Sequence, residues 1–493
     1  MAHGRERLWT EIALIAACGL LIGLPVLLLN GFPLLFDDSP GYFEPAFNLL
    51  HPHAPPAWLR PPEPAAGVPF SDNVFFLRPF PYAVFLLPFA GDWGIWLIPA
   101  AQGVLAALVI RRALDAAGLA LRPPAFAGVI LALALLTSLA VHAGHVMPDV
   151  FTGLLILAAG ATVLGWAERG WPGRLWDGAL LAFLTAVHLS HVAILAGLIV
   201  VLGGVALVRR RDVAAVALGL GAPLALASVV LMAANLALAG RAVLSESSPV
   251  FLLARLIGDG PARAYLAEAC PERGYLLCGR LDDLGRAAPG YPVSDYFLWH
   301  RQGARHAFGD TPRFLAEASE IVRETVRTRP LDVLGHVVAN GARQFVRAGL
   351  DPTLNAPVKP WTRQFVSRFG APVYEAFLGS RQFRQALPLD ALNAVQAAVL
   401  GVAGAALVGL GLARGRRFGR RLGGRVRGLL GVMLLGLVLN AGFAGGLSAV
   451  HDRYQNRVVW LLPLAAMAVG IAVARRPDAA PALTPAARCA ESG

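Results

Sequence analysis

A single lysine, Lys359, stands in a chain of 493 residues, so nearly all of the basic charge is arginine. Charge of either sign is scarce at 15%, and cysteine is limited to Cys18, Cys270, Cys278 and Cys489. No Walker loop, dinucleotide fingerprint, zincin motif or serine-nucleophile elbow occurs in a suitable context, which leaves nucleotide-driven transport and hydrolase chemistry without support. No Cys/His spacing of the metal-binding kind occurs either. What the chain has in abundance is apolar residues, 56% of the total, with a mean hydropathy of +0.58. That is too apolar for an ordinary soluble enzyme, and the bilayer is the main solvent.

The formal net charge of +12 is not the signature of a nucleic-acid binder, because the arginines fall in short clusters between apolar runs. Apolar stretches near 8–29, 94–112, 124–141, 150–167, 213–236, 391–412, 429–447 and 458–474 are each long enough to cross a hydrocarbon core of ~30 Å. The first begins like a signal peptide but runs on without a convincing cleavage site, and reads as a retained helix. The stretch 177–208 is too long for one ordinary span and carries His188 and His191 near its middle. Read as a hairpin, it places Arg5, Arg7, Arg111, Arg112, Arg169, Arg174, Arg209, Arg210, Arg211, Arg475, Arg476 and the basic loop 414–427 all on the inner side. Read as a single span, it would put two basic loops outside. The charge pattern therefore predicts about ten transmembrane helices in an all-α polytopic protein of the bacterial inner (plasma) membrane, with both termini cytoplasmic.

This topology divides the chain into a transmembrane module at 1–237, an extracytoplasmic helical domain at 238–390, a second transmembrane module at 391–475 and a cytoplasmic tail at 476–493. Helices are expected from Pro312 to Arg329 and from Leu331 to Val346, with Pro330 between them. Cys270 and Cys278 share the polar run CPERGYLLC, where a disulfide would form outside the cell and add roughly 2–3 kcal/mol.

Four outer turns carry the chemistry-bearing side chains. The loop after the first helix opens with FDDSPGY, in which Asp37 and Asp38 offer acid/base or cation-binding oxygens and Tyr42 follows. Ser39 before Pro40 also reads as the N-cap of a short helix lying on the membrane. RPFPY supplies Arg78 and Tyr82 at the start of helix two, and HAGHVMPDV supplies His142, His145 and Asp149, the last of which also reads as a helix cap. His188 and His191 sit at the hairpin tip, where ionisable groups in a membrane face a bundle interior or a wet cavity. The last outer loop, VHDRYQNRVVW, crowds His451, Asp452, Arg453, Tyr454 and Arg457 where short outer loops avoid arginine. A forked guanidinium bound to a phosphate accounts for that exception, and an Arg453–Asp452 pair is the structural alternative.

FDDSPGYF after the first helix, RPFPY, MPDV at the next outer turn and an RY-containing last outer loop together resemble the GT-C superfamily of membrane glycosyltransferases, whose members include protein O-mannosyltransferases and lipid A aminoarabinose transferases. The resemblance covers mainly 1–210 and 430–475. It implies a polyprenyl-phosphate-linked sugar as donor and a glycan, lipid or protein acceptor at the outer face. By it, Asp37 or Asp38 would be the catalytic base and Asp149 a second acid. Arg453, with His188 or His191, would hold the donor phosphate, with Tyr454 and Arg457 beside it. Tyr42, Arg78, Tyr82, His145 and His451 would line the substrate site. The one cofactor these residues offer is a divalent cation on Asp37, Asp38 and Asp149. A polysaccharide polymerase or ligase is the rival enzyme, leaning on Arg and His more than on the acids, and a lipid or glycan flippase is the non-enzymatic rival.

Overall fold

A computed structural model describes residues 2–50, 78–91, 93–210, 212–309 and 311–475. The proline-rich part of the first loop and the 476–493 tail lie outside them. The described residues are helical from end to end, without strands. Seven of their helices are long and apolar enough to cross a membrane: Leu8–Asn30, Gly94–Ala116, Leu189–Arg209, Val213–Leu238, Leu389–Gly409, Gly424–Leu447 and Asp452–Ala474. Phe80–Phe89, Pro123–Leu136 and Val150–Gly165 are shorter and equally apolar. The chain is a multi-pass α-helical membrane protein.

The stretch 177–208 is a hairpin. Trp171–Ala186 and Leu189–Arg209 are separate helices, broken where His188 takes an extended conformation (φ −153°, ψ 132°) and its ring accepts a hydrogen bond from the Ser190 amide, capping the second helix.

Four expectations need correction. Arg78 and Tyr82 do not begin the 94–116 span. They introduce a short helix of their own, Phe80–Leu86, and the chain reverses before Gly94, where any Cβ would sit 2.3 Å from the Phe89 carbonyl oxygen. The third apolar stretch stops at Leu136 rather than near 141, because Thr137 turns extended (φ −136°, ψ 175°) and a separate short helix, Leu139–Ala143, follows. The segment 414–427 is helix rather than loop, with the backbone of Leu389–Arg421 and Gly424–Leu447 interrupted only at 422–423, as arginine's good helix propensity permits. The last "loop" is the opening of the last span, with Asp452–Val459 helical and leading directly into Leu461–Ala474.

Among the described residues, Arg111, Arg112, Arg169, Arg425 and Arg475 gather at one end of the bundle. There Asp177 pairs with both Arg112 and Arg169, Arg111 pairs with Glu11 at 3.0 Å, Arg425 pairs with Glu168, and Arg475 caps the Gly118 carbonyl. Between the ends, the helices approach closely. A Cβ on Gly103 would lie 2.2 Å from the Gly19 carbonyl oxygen, so glycine lets the first helix and Ile98–Ala116 pack backbone to backbone and fixes the depth of the neighbouring Gln102.

Helices Pro312–Thr328 and Pro330–Val346 form as the sequence indicates. The first joins Ser248–Asp259 and Pro261–Arg273 around a second hydrophobic core that includes Val250, Leu253, Leu266, Phe297, Phe314 and Ile321, pinned by the Cys270–Cys278 disulfide. Other parts of the 238–390 segment pack elsewhere. Phe365, Phe369 and Phe377 belong to the large core of the bundle. Pro330–Val346 lies along Gly424–Leu447, where Gly341 meets Gly442 and a Cβ on Gly445 would come within 2.6 Å of the Asn340 carbonyl oxygen.

Candidate active site

At the end of the bundle opposite the arginine clusters, the segment after the first helix is held as a short extended strap. Leu34 bridges His145, with Leu34 N–H donating to Gly144 O and Val146 N–H to Leu34 O, both at 2.9 Å. The buried Gln382 side chain brackets Leu35, accepting from its amide at 3.0 Å and donating to its carbonyl at 2.6 Å. Beyond this strap the helix Ser39–Leu50 begins where expected, but Ser39 does not cap it. Its hydroxyl accepts from the Phe36 amide at 2.9 Å, and the Asp38 carbonyl takes the first helical bond from Tyr42. The strap thereby presents Asp37 and Asp38 side by side with different surroundings.

Asp38 pairs with Arg78 and lies 4.0 Å from Arg453. Arg453 in turn reaches Asp149 at 3.9 Å, and Arg457 reaches the other oxygen of Asp149 at 3.4 Å. Asp149 occupies the N-cap position of Val150–Gly165 yet makes no capping bond. The Arg453–Asp452 alternative fails too, since Asp452 lies beside Arg347 at 3.9 Å. Arg453 and Arg457 are one helical turn apart, so the helical opening of the last span is what aims both at one carboxylate. Both Arg457 and Asp149 are about 1% exposed, a placement that only pairing makes tolerable. Arg453 keeps one buried guanidinium nitrogen, Nη1, without a hydrogen-bond partner, and that open donor suits an anion.

The remaining predicted residues divide. The Tyr42 and Tyr82 rings pack edge to face at 5.4 Å, and the Tyr82 hydroxyl meets Gln102 Oε1 at 3.2 Å. Arg78 stacks over Tyr42 and Arg453 over Phe36. Tyr454 lies within reach of both Arg453 and Arg457. His188 joins through Ser190, whose hydroxyl bonds its Nδ1 at 2.8 Å and accepts from Arg457 at 3.2 Å. His191 is adjacent but committed, with Nδ1 bonding the Leu184 carbonyl at 2.6 Å and Nε2 bonding Thr152 at 2.8 Å, so both ring nitrogens are taken. His451 turns away to Asp295 at 3.6 Å. His145 lies beside Asp149, and among the described residues the metal-type grouping is His142, His145 and Asp149 rather than Asp37, Asp38 and Asp149.

Asp37 keeps an edge open to solvent while its backbone carbonyl accepts from the Trp361 indole at 3.1 Å. Partial desolvation by the protein packed on its other side pushes its pKa up to about 6, outweighing the opposing Lys359 ammonium, and the Asp38 carboxylate adds to the rise.

Sequence reasoning missed three groups that hold this site. Asn440 Oδ1 accepts two bonds from the Arg457 guanidinium at 3.2 and 2.9 Å. Asn456 Oδ1 bonds His142 Nε2 at 2.7 Å while its amide nitrogen donates to the Ala348 carbonyl at 2.6 Å. Gln102 donates to the Ala143 and His145 carbonyls. For Asn440 and Gln102 the available signal was a lone amide in an apolar span, which is costly in a membrane unless it has a partner.

Compared with family models, with curated proteins and with solved structures, the chain matches none of them.

Proposed function

We propose that the chain is a glycosyltransferase of GT-C type that moves a sugar from a polyprenyl-phosphate donor to an acceptor at the outer face of the bacterial inner membrane. In this reading the arginine end is cytoplasmic, about ten helices span the bilayer, and the disulfide-pinned part of the extracytoplasmic segment 238–390 projects outward. One observation carries it: residues from four turns far apart in sequence, Asp38, Arg78, Asp149, Ser190, Arg453 and Arg457, form one continuous polar cluster opposite the arginine end. An arginine-rich cluster with a solvent-open carboxylate beside it is what phosphate-leaving-group chemistry requires.

Asp37 is the base in this mechanism. A carboxylate with a pKa near 6 is ionised at neutral pH and is a stronger proton acceptor than an ordinary aspartate. It takes the acceptor hydroxyl proton as the acceptor oxygen bonds to the sugar C1 and the C1–O bond to phosphate breaks. Arg453 and Arg457 stabilise the negative charge growing on the departing phosphate. Asp38 and Asp149 position these groups, one by anchoring the strap to Arg78 and the other by aligning both arginines.

The test is transfer of radiolabelled sugar from a polyprenyl-phosphate donor by the purified full chain. Asp37→Asn should abolish transfer without loss of folded protein. Wild-type transfer rates in that variant would remove Asp37 as the base, and no transfer by the wild type from any such donor would remove the reading itself.

A further inference from the structure

We infer that His142, His145 and Asp149 form a binding site for one divalent transition-metal cation, of the zinc or cobalt class. The inference goes beyond the glycosyl-transfer reading and does not depend on it.

Three donor atoms, one from each residue, lie within 4.8 Å of one another, and all three residues are at most 3% exposed. The hydrogen bond behind the His142 ring settles which of its nitrogens is bare. Asn456 donates through its amide nitrogen to Ala348, so its oxygen is the acceptor for His142 Nε2–H, and His142 Nδ1 is left as a lone pair. His145 Nε2 is also buried without a hydrogen-bond partner. Asp149 Oδ2 likewise lacks a hydrogen-bond partner, although Arg453 stands 3.9 Å away. Each of the three residues thus has a buried polar atom without a partner, costly to leave unsatisfied. An imidazole whose other nitrogen is bonded to an amide oxygen, as that of His142 is to Asn456, is a usual arrangement behind metal-ligating histidines. Two imidazoles and one carboxylate favour a borderline transition metal over magnesium or calcium. Bringing the donors to the ~3.4 Å edges of a tetrahedron with ~2.0–2.1 Å bonds requires shifts of about an ångström.

The neighbouring guanidiniums raise the cost of a further positive centre. An anionic fourth ligand, hydroxide or a phosphate oxygen, offsets it. Arg453 Nη1, buried and without a hydrogen-bond partner, is the donor available to that anion. The combination resembles the mixed metal and guanidinium clamps that hold phosphoryl groups.

The experiment is a cobalt(II) titration of the purified, chelator-stripped full chain in detergent, read by d–d absorption and elemental analysis. One equivalent should bind to the wild type, weakened more than about 100-fold in His145→Ala and Asp149→Asn, and ~10- to 100-fold in Asn456→Ala, which removes only the support behind His142. Zinc should raise the unfolding temperature of the wild type and leave that of His145→Ala unchanged, a readout that also shows whether the variant is folded. Absence of saturable binding to the wild type overturns the site, and so does equal binding by His145→Ala, which would mark adventitious surface histidines. Because no donor is present, failure here leaves the transferase reading standing, and metal binding without sugar transfer leaves the site standing.

Discussion

Two buried aspartates in this protein each face two arginines, and they have opposite characters. Asp177, at the arginine end, has one oxygen hydrogen-bonded to Arg112 and the other to Arg169. Its valence is closed, and it acts as a bolt between helices. Asp149, at the far end, meets Arg457 at 3.4 Å and Arg453 at 3.9 Å. It keeps one oxygen without a hydrogen bond and shares its surroundings with a bare nitrogen on each of two histidines and a bare guanidinium nitrogen. The same set, one aspartate and two arginines, gives a lock in one place and an open valence in the other. Buried polar groups are almost always satisfied, so the open one marks where a ligand belongs.

The widest separation between the two should come from paired substitutions. Asp149→Asn is expected to lower sugar transfer by ~10³-fold or more with the bundle still folded. Asp177→Asn should leave specific transfer within about threefold while costing about 3 kcal/mol of stability, because it strands two arginines. Specific activity per folded molecule, set against unfolding temperature, checks both. If Asp177→Asn proved as inactive as Asp149→Asn, the comparison would collapse.

Arg457→Lys sharpens it at a finer level. Lysine keeps the charge and loses the two bonds to Asn440 and the reach to Asp149 together. A ~10- to 100-fold fall in transfer is expected, against little change for Arg112→Lys at the lock.

Asp37 adds a pH dimension to the comparison. With its pKa raised to about 6, it loses its charge as pH falls through that value, so transfer should halve near pH 6 and drop about tenfold per unit below. Asp38→Asn should slow the reaction but keep this profile. A rate that is flat from pH 7 to 5 in the wild type would show that another group accepts the proton.

The smallest effect is expected at Cys270 and Cys278. Replacing both with serine should lower the stability of the second core by roughly 2–3 kcal/mol. Sugar transfer at room temperature should stay within about twofold, which a melting curve and an activity assay together can establish.

Much of this architecture is legible in the sequence because bilayer thickness and arginine placement are coarse constraints. The hairpin at 177–208 follows from charge alone, and the polar segments that carry Asp38, Asp149 and Arg453 can be picked out by type and place. The sequence hides which partner each side chain takes. Asp149 reads equally as a cap until its bond to Arg457, more than three hundred residues away, is seen. His191 reads as a phosphate ligand until Thr152 and Leu184 occupy its ring. The spacing of Arg453 and Arg457 had meaning only once 452–459 was known to be helix, and a polar run beside a membrane span reads naturally as loop.

The helix Pro330–Val346 sets a practical boundary. One side of it is wedged against the glycines of Gly424–Leu447, while Leu331, Leu334, Val338 and Val346 on the other are between 56% and 80% exposed. A surface of that kind alongside a membrane helix is wetted by lipid, not by water. A soluble fragment of the projecting segment should therefore end before Pro330, where the disulfide-pinned core is already complete. Carried on to residue 390, the same fragment would bring a greasy helix into water and aggregate.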